Sequence, residues 1–130
     1  MQRTVLVVDD DIDFVAQMSL QLAEAGFAVV TAEGQKQAEE ILKDTKVHLA
    51  IMDLMMEHLD SGFALCHYIK KKDASIPVIL VTAVASETGM EFDTTTDEER
   101  SWVKADAMLA KPVRFEQLRR EIDRLLVAYH

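Results

Sequence analysis

Short apolar runs alternate with spaced apolar stripes along this chain. The runs are rich in β-branched and aliphatic residues and are typical of buried strands in a parallel sheet. They cover Val5–Val8, Phe27–Thr31, Val47–Met52, Ile76–Val81 and Met108–Ala110. The stripes repeat at the spacing of a helix face and favour helices between the strands. They lie in Asp13–Ala25, Gln35–Lys43, Gly62–Lys71 and a closing segment with apolar residues from Phe115 to Tyr129.

This alternation predicts an α/β domain made of five βα units. Such units form a doubly wound parallel five-stranded sheet with helices on both faces. Five strands suit a flavodoxin-like (βα)5 fold with strand order 2-1-3-4-5, in which the first and third strands are neighbours. Ligands bind outside the carboxyl ends of the strands at that switch point. We therefore expect one domain over residues 1–130, with a site where the first and third strands end.

Acidic residues follow both of those strands. Asp9, Asp10 and Asp11 come directly after the first apolar run, and Asp53 ends the third. Because neighbouring strands lie about 4.8 Å apart, the carboxylates of Asp9, Asp10 and Asp53 are expected to converge. Packed together without compensation they would repel, and at least one would stay protonated. A hard divalent cation removes this conflict, and Mg²⁺ prefers oxygen ligands, so the sequence predicts a Mg²⁺ site.

Two further groups belong to the same edge of the predicted sheet. The fourth strand ends in Thr82 and the fifth in Lys111. A cation, a hydroxyl and a lysine around a carboxylate are the groups needed to hold a phosphoryl group during transfer. Each candidate residue has a plainer interpretation when it is taken alone. Thr82 could be an ordinary strand-end residue and Lys111 a solvated charge. Among the acids, Asp11 or Asp13 could be a helix N-cap. Only their joint placement favours a site.

Composition narrows the possible functions. A net charge of −9 argues against direct nucleic-acid binding and favours basic protein partners. No apolar run approaches the roughly 20 residues that cross a bilayer, so no membrane contact is expected. The single cysteine, Cys66, cannot form an internal disulfide, which fits a cytoplasmic protein in which it is a packing residue. The histidines lack ligand spacing and are expected to bind no metal and to relay no phosphate; they are His48, His58, His67 and His130.

Four motifs in this order resemble the receiver domain of two-component response regulators, in particular the stand-alone, chemotaxis-type form. They are VLVVDDD at 5–11, MDLMM at 52–56, VTA at 81–83 and KP at 111–112. Each motif is weak alone, and the specificity comes from their order and their placement at strand ends. The resemblance implies a phosphoacceptor module that takes a phosphoryl group from a histidine kinase or phosphotransfer protein. It also implies that the module signals by contact with a downstream target protein.

The resemblance assigns roles to the acids and their surroundings. It implies that Asp53 is the phosphoacceptor, a nucleophile that forms an acyl phosphate. Asp10 matches the acid that ligates Mg²⁺ directly, and Asp9 the acid that acts through metal-bound water. The backbone carbonyl of Met55 matches a further metal ligand.

The remaining roles fall at the ends of the last two strands. Thr82 matches the switch hydroxyl that turns towards the phosphate, and Lys111 matches the lysine that pairs with a phosphate oxygen. The Lys111–Pro112 peptide bond is expected to be cis.

Three features depart from the family pattern. The loop Glu57–Gly62 has glutamate where the family often has proline, and Met108 occupies the family's aromatic switch position. The segment between Thr82 and Lys111 is longer than usual. Within it Ala85–Thr95 has low helix propensity, and the capping box Thr96–Glu99 predicts a delayed, shortened fourth helix. We expect phosphorylation to act by ordering this segment.

Two alternatives stay open. Asp9-Asp10-Asp11 also contains the Asp-x-Asp of small haloacid-dehalogenase-type phosphatases, which would place the nucleophile on the first strand and leave Asp53 without a role. A degenerate receiver that acts only as a scaffold is the other. The preferred interpretation is a receiver without an attached output domain, a monomer or weak dimer that catalyses only its own phosphorylation and dephosphorylation.

Overall fold

A computed structural model describes residues 3–53, 61–82 and 106–128 of the protein. The strands are β1 (Thr4–Val8), β2 (Ala28–Ala32), β3 (Leu49–Asp53), β4 (Val78–Thr82) and β5 (Ala107–Ala110). The helices in these ranges are α1 (Ile12–Glu24), α2 (Gln35–Asp44), α3 (Ser61–Lys72) and α4 (Phe115–Ala128). None of these helices is long and apolar enough to cross a bilayer.

The five strands form one parallel sheet in the order β2-β1-β3-β4-β5, which confirms the predicted topology. In the register of β1 and β3, Val8 lies opposite Met52. Asp9 and Asp53 therefore leave the sheet side by side. Thr82 lies opposite Ala110, the residue before Lys111. The register thus brings all the predicted site positions at strand ends to one edge of the sheet.

Alternate strand residues face two separate cores, as the two-residue period of a strand requires. Val5, Val7 and Ile51 pack beneath α1 and α4, whereas Leu6 and Ala50 pack beneath α2 and α3, and all five are fully buried. Helices on both faces explain why the strands read as unbroken apolar runs instead of alternating ones.

The single cysteine belongs to the core on the α2 and α3 side. Cys66 is fully buried, and burial raises the pKa of its thiol to about 11. Its place in this core confirms the expected packing role, and the raised pKa keeps the thiol protonated at neutral pH.

Local signals set the ends of α1. The Asp11 side chain caps the helix by accepting hydrogen bonds from the backbone N–H groups of Asp13 and Phe14, at 3.1 and 3.2 Å. At the other end Gly26 has φ of +99°, a left-handed conformation that glycine adopts without strain. Asp11, and not Asp13, is therefore the N-cap.

Two strands, β3 and β4, begin two residues later than the apolar pattern indicates. β4 starts at Val78 because Pro77 has no N–H to donate to the sheet, although its carbonyl accepts a hydrogen bond from Ala50. β3 starts at Leu49. The His48 N–H donates to the Thr4 carbonyl at 2.8 Å, but the Thr4 N–H is taken by the His48 side chain and not by a backbone carbonyl. The His48 ring Nδ1 accepts this hydrogen bond from the Thr4 N–H at 3.0 Å.

An ion pair fixes the start of β5. The Lys70 ammonium, at the end of α3, lies 2.7 Å from Asp106 Oδ2 and also donates to the Ile76 carbonyl. The same Asp106 oxygen accepts from the Val78 N–H at 2.8 Å. These contacts join α3, β4 and β5, and β5 in turn carries Lys111 at its far end.

Several predicted features lie outside the described residues. They are Met55, most of the Glu57–Gly62 loop, the Ala85–Thr95 segment, the capping box Thr96–Glu99, His58 and His130.

Candidate functional site

Three carboxylates meet where β1 and β3 end. One oxygen each from Asp9, Asp10 and Asp53 lies within 4.8 Å of the other two. Asp9 is 1% exposed and Asp53 9%, whereas Asp10 lies open to solvent. Two buried acids and one exposed acid therefore share a small volume at the switch point of the sheet.

Asp9 is held at both carboxylate oxygens. Its Oδ1 accepts a hydrogen bond from the Asp11 N–H at 2.9 Å, and its Oδ2 accepts one from Lys111 Nζ at 3.0 Å. Its own N–H donates to the Ala32 carbonyl at 3.1 Å. A buried charge is tolerated when it is paired and hydrogen-bonded in this way. These contacts therefore hold the Asp9 carboxylate in one position at the end of β1.

Lys111 reaches into the acidic cluster from the end of β5. Its Nζ lies 3.6 Å from Asp53 Oδ2 as well as 3.0 Å from Asp9 Oδ2. Burial alone would lower the pKa of Lys111, but the hydrogen bond to Asp9 and the charges of Asp53, Asp9 and Asp11 outweigh it, and the pKa is raised. The side chain thus stays an ammonium at neutral pH. The Lys111–Pro112 bond is cis, as predicted.

The charges at this edge leave a clear imbalance. Among the residues that the structure describes here, three carboxylates face one ammonium, and all three offer hard oxygen donors at mutual distances that one small cation can span. The donor set fits Mg²⁺, which takes a few protein oxygens and keeps water in its other positions.

An open groove borders the cluster at Asp10. It has a volume of about 580 Å³ and lies between the start of α1 and the start of α2. Asp10 and Ile12 line one side, and Gly34 and Gln37 line the other. Asp10 is thus the acid of the cluster that this groove borders, and Glu33, Lys36 and Glu40 complete the lining.

The structure unites most of the predicted site and adds one residue. Asp9, Asp10, Asp53 and Lys111 come together as expected, and the backbone of Thr82 ends the neighbouring strand β4. The added residue is Phe14, whose ring centroid lies 4.7 Å from Lys111 Nζ. Its position in the first turn after the acids is the only sequence signal that could have pointed to it.

The chain belongs to the response regulator receiver domain family, because that family's model matches residues 5–123. It is therefore a signalling module of two-component systems and not a metabolic enzyme. This membership decides against the phosphatase alternative.

Curated relatives resemble the chain over part of their own length. The heme response regulator HssR of Staphylococcus haemolyticus is 34% identical over 125 residues, which cover 95% of this chain and 51% of HssR. The transcriptional regulatory protein GlrR of Escherichia coli is 40% identical over 81 residues, covering 62% of this chain and 18% of GlrR. The chain thus spans about half or less of these relatives.

Solved structures share the fold almost end to end. A CheY-like receiver domain protein from Methanospirillum hungatei is similar with a TM-score of 0.81 and 20% identity, covering 99% of this chain and 97% of that one. The response regulator TrrA from Thermotoga maritima, solved in complex with Mg²⁺–BeF, has a TM-score of 0.77 and 26% identity, covering 95% and 99%.

Proposed function

We propose that Asp53 accepts a phosphoryl group from a histidine kinase or phosphotransfer protein in a Mg²⁺-dependent reaction. The phosphorylated protein then signals by contact with a target protein. The observation that carries this proposal is the meeting of three carboxylates within 4.8 Å, with an ammonium 3.6 Å from Asp53. A scaffold without phosphorylation has no need of such a costly arrangement of like charges.

Burial and hydrogen bonding support the proposed set of metal ligands. Asp10 is exposed and suited to direct ligation, and Asp53 supplies a second oxygen. Both oxygens of Asp9 already accept hydrogen bonds, which supports contact through metal-bound water. The Met55 carbonyl is the proposed further ligand. When bound, Mg²⁺ would neutralise charge on the incoming phosphoryl oxygens.

The chain's own groups account for the transfer. An Asp53 carboxylate oxygen attacks phosphorus, and the P–N bond to the donor histidine breaks as the new P–O bond forms. Lys111 Nζ, already 3.6 Å from Asp53 Oδ2, then pairs with a phosphate oxygen instead of the carboxylate. Thr82, at the end of β4, is the proposed hydroxyl donor to the same phosphate.

Acetyl phosphate tests this function without a partner protein. With Mg²⁺ present, we expect intact-mass measurement to show a gain of one phosphoryl group per chain. With the metal removed by a chelator, we expect no gain. A protein that is never labelled under these conditions would support the degenerate scaffold instead.

An apolar patch beside the site is the proposed contact for the phosphodonor protein. Among the described residues, Ile12 and Leu20 are the large apolar side chains most open to solvent, at 72% and 62% exposure. Both lie on α1, about two turns apart and so on one broad face. Ile12 also lines the groove that Asp10 borders. A partner that covers this patch would bring its phosphohistidine to the acids.

The substitution Leu20→Glu tests that contact. Burying a leucine contributes about 1.5–3 kcal/mol, so we expect transfer from a phosphorylated histidine kinase to slow about tenfold or more. The phosphodonor is chosen from a panel of phosphorylated histidine kinases as the one that labels the wild-type chain fastest. Labelling by acetyl phosphate should be unchanged.

Ala64→Glu provides a matched control. Ala64 is exposed on α3, across the sheet from α1, and the substitution adds the same charge. If both variants lose kinase transfer equally, net charge and not the α1 patch controls recognition.

A further inference from the structure

The ring of Phe14 lies against the ammonium group of Lys111. The distance from Nζ to the ring centroid is 4.7 Å, inside the limit of about 6 Å for a cation–π contact. The two residues come from opposite ends of the chain, one from the first turn of α1 and one from the end of β5. Their contact is therefore made by the tertiary fold at the edge that carries the acids.

Hydrogen bonds tie the backbone of Phe14 to the acids. The backbone N–H of Phe14 donates to Asp11 Oδ1 at 3.2 Å, and the backbone N–H of Asp11 donates to Asp9 Oδ1 at 2.9 Å. Phe14 thus sits in a helix turn that is tied directly to the buried carboxylate. A lysine side chain by contrast has a flexible four-carbon stem.

Within the described part of the chain, the ammonium has three neighbours, and phosphorylation does not affect them equally. Asp9 Oδ2 lies 3.0 Å away, Asp53 Oδ2 lies 3.6 Å away, and the Phe14 ring forms the third contact. Phosphorylation converts the Asp53 carboxylate into an acyl phosphate, so that contact has to change during the reaction. The attraction of the ring does not depend on the state of Asp53.

We propose that Phe14 is a positioning residue that holds the Lys111 ammonium towards Asp53 before and during phosphoryl transfer. The inference rests on the proposed function, since the position of this ammonium matters only if Asp53 accepts a phosphoryl group. Phe14 touches neither the donor nor the reacting atoms and acts through Lys111.

A purely structural role for Phe14 makes different predictions. The ring is half-buried and also packs against the core beneath α1 and α4. Phe14→Leu keeps an apolar side chain there but removes the aromatic face, whereas Phe14→Tyr keeps that face. The initial rate of labelling by acetyl phosphate with saturating Mg²⁺ distinguishes the positioning role from the purely structural role. We expect Phe14→Leu to be about threefold to tenfold slower and Phe14→Tyr to be close to wild type.

Phe27 offers a matched control in the same core. Its ring centroid lies 5.6 Å from the guanidinium carbon of Arg119, and it packs against the same core as Phe14. Phe27 precedes β2 and so lies at the opposite edge of the sheet from the acids. We expect Phe27→Leu to lose the same kind of contact with no change in labelling rate.

Two measurements connect the effect to Lys111. In a Lys111→Met background, Phe14→Leu should cause no further slowing, as expected for residues that act through one group. In the wild-type protein, the ε-methylene protons of Lys111 should show an upfield ring-current shift in NMR spectra. That shift should persist in Phe14→Tyr and disappear in Phe14→Leu.

Three results would overturn the role of Phe14. They are a wild-type rate in Phe14→Leu, equal slowing in the Lys111→Met background, or an ε-methylene shift unaffected by Phe14→Leu. A failure of the proposed function is recognised separately, because an Asp53→Asn protein would then be labelled like the wild type.

Discussion

The Asp53→Asn protein is expected to gain no phosphoryl group from acetyl phosphate, a loss of labelling of at least about a hundredfold. Asparagine matches aspartate in size and leaves the packing at the end of β3 undisturbed. Its amide oxygen is not a nucleophile that can form an acyl phosphate. The substitution therefore removes the chemistry and keeps the fold, which circular dichroism should confirm.

Asp44→Asn is the matched control for this loss. Asp44 is exposed at the end of α2, and its replacement changes the net charge by the same amount. It should be labelled at the wild-type rate. If Asp53→Asn is labelled as fast as Asp44→Asn, the nucleophile lies elsewhere, and the acids that follow β1 become the candidates.

Loss of Mg²⁺ binding is the second large effect that we expect. Asp10→Asn should weaken Mg²⁺ affinity by at least about tenfold, because it removes a charged oxygen ligand from the cluster. Asp11→Asn should change it little. The Asp11 carboxylate accepts hydrogen bonds from two N–H groups of α1, and asparagine caps a helix as well as aspartate does.

Thermal unfolding in a Mg²⁺ series measures this difference. A ligand that binds only the folded state raises the melting temperature with concentration. The rise should be kept in Asp11→Asn and strongly reduced in Asp10→Asn. Equal reductions in the two variants would show that Asp11 contributes to the metal site as much as Asp10 does.

The sheet and the acidic edge could be predicted from the sequence for a simple physical reason. Strands covered on both faces must be apolar throughout, so the abrupt change from Val8 to Asp9 marks the point where β1 leaves the core. Asp53 marks the same point on β3. Strand order then places both acids at one edge without any knowledge of side-chain conformation.

The contact between Phe14 and Lys111 could not be predicted in this way. Apolar periodicity assigns Phe14 to the inner face of α1, and it does pack there. Its second contact depends on how far the Lys111 side chain extends across the edge of the sheet. The late start of β4 at Val78 has a similar origin, since an apolar pattern does not register that Pro77 lacks an N–H.

Mapping the phosphoryl group in the labelled protein tests the central claim most directly. Borohydride reduces an acyl phosphate to an alcohol, so a phosphorylated aspartate becomes homoserine, which tandem mass spectrometry locates. We predict homoserine at position 53, only in protein labelled in the presence of Mg²⁺. Homoserine at Asp9, Asp10 or Asp11, with position 53 still aspartate, would contradict the assignment of Asp53 as the phosphoacceptor.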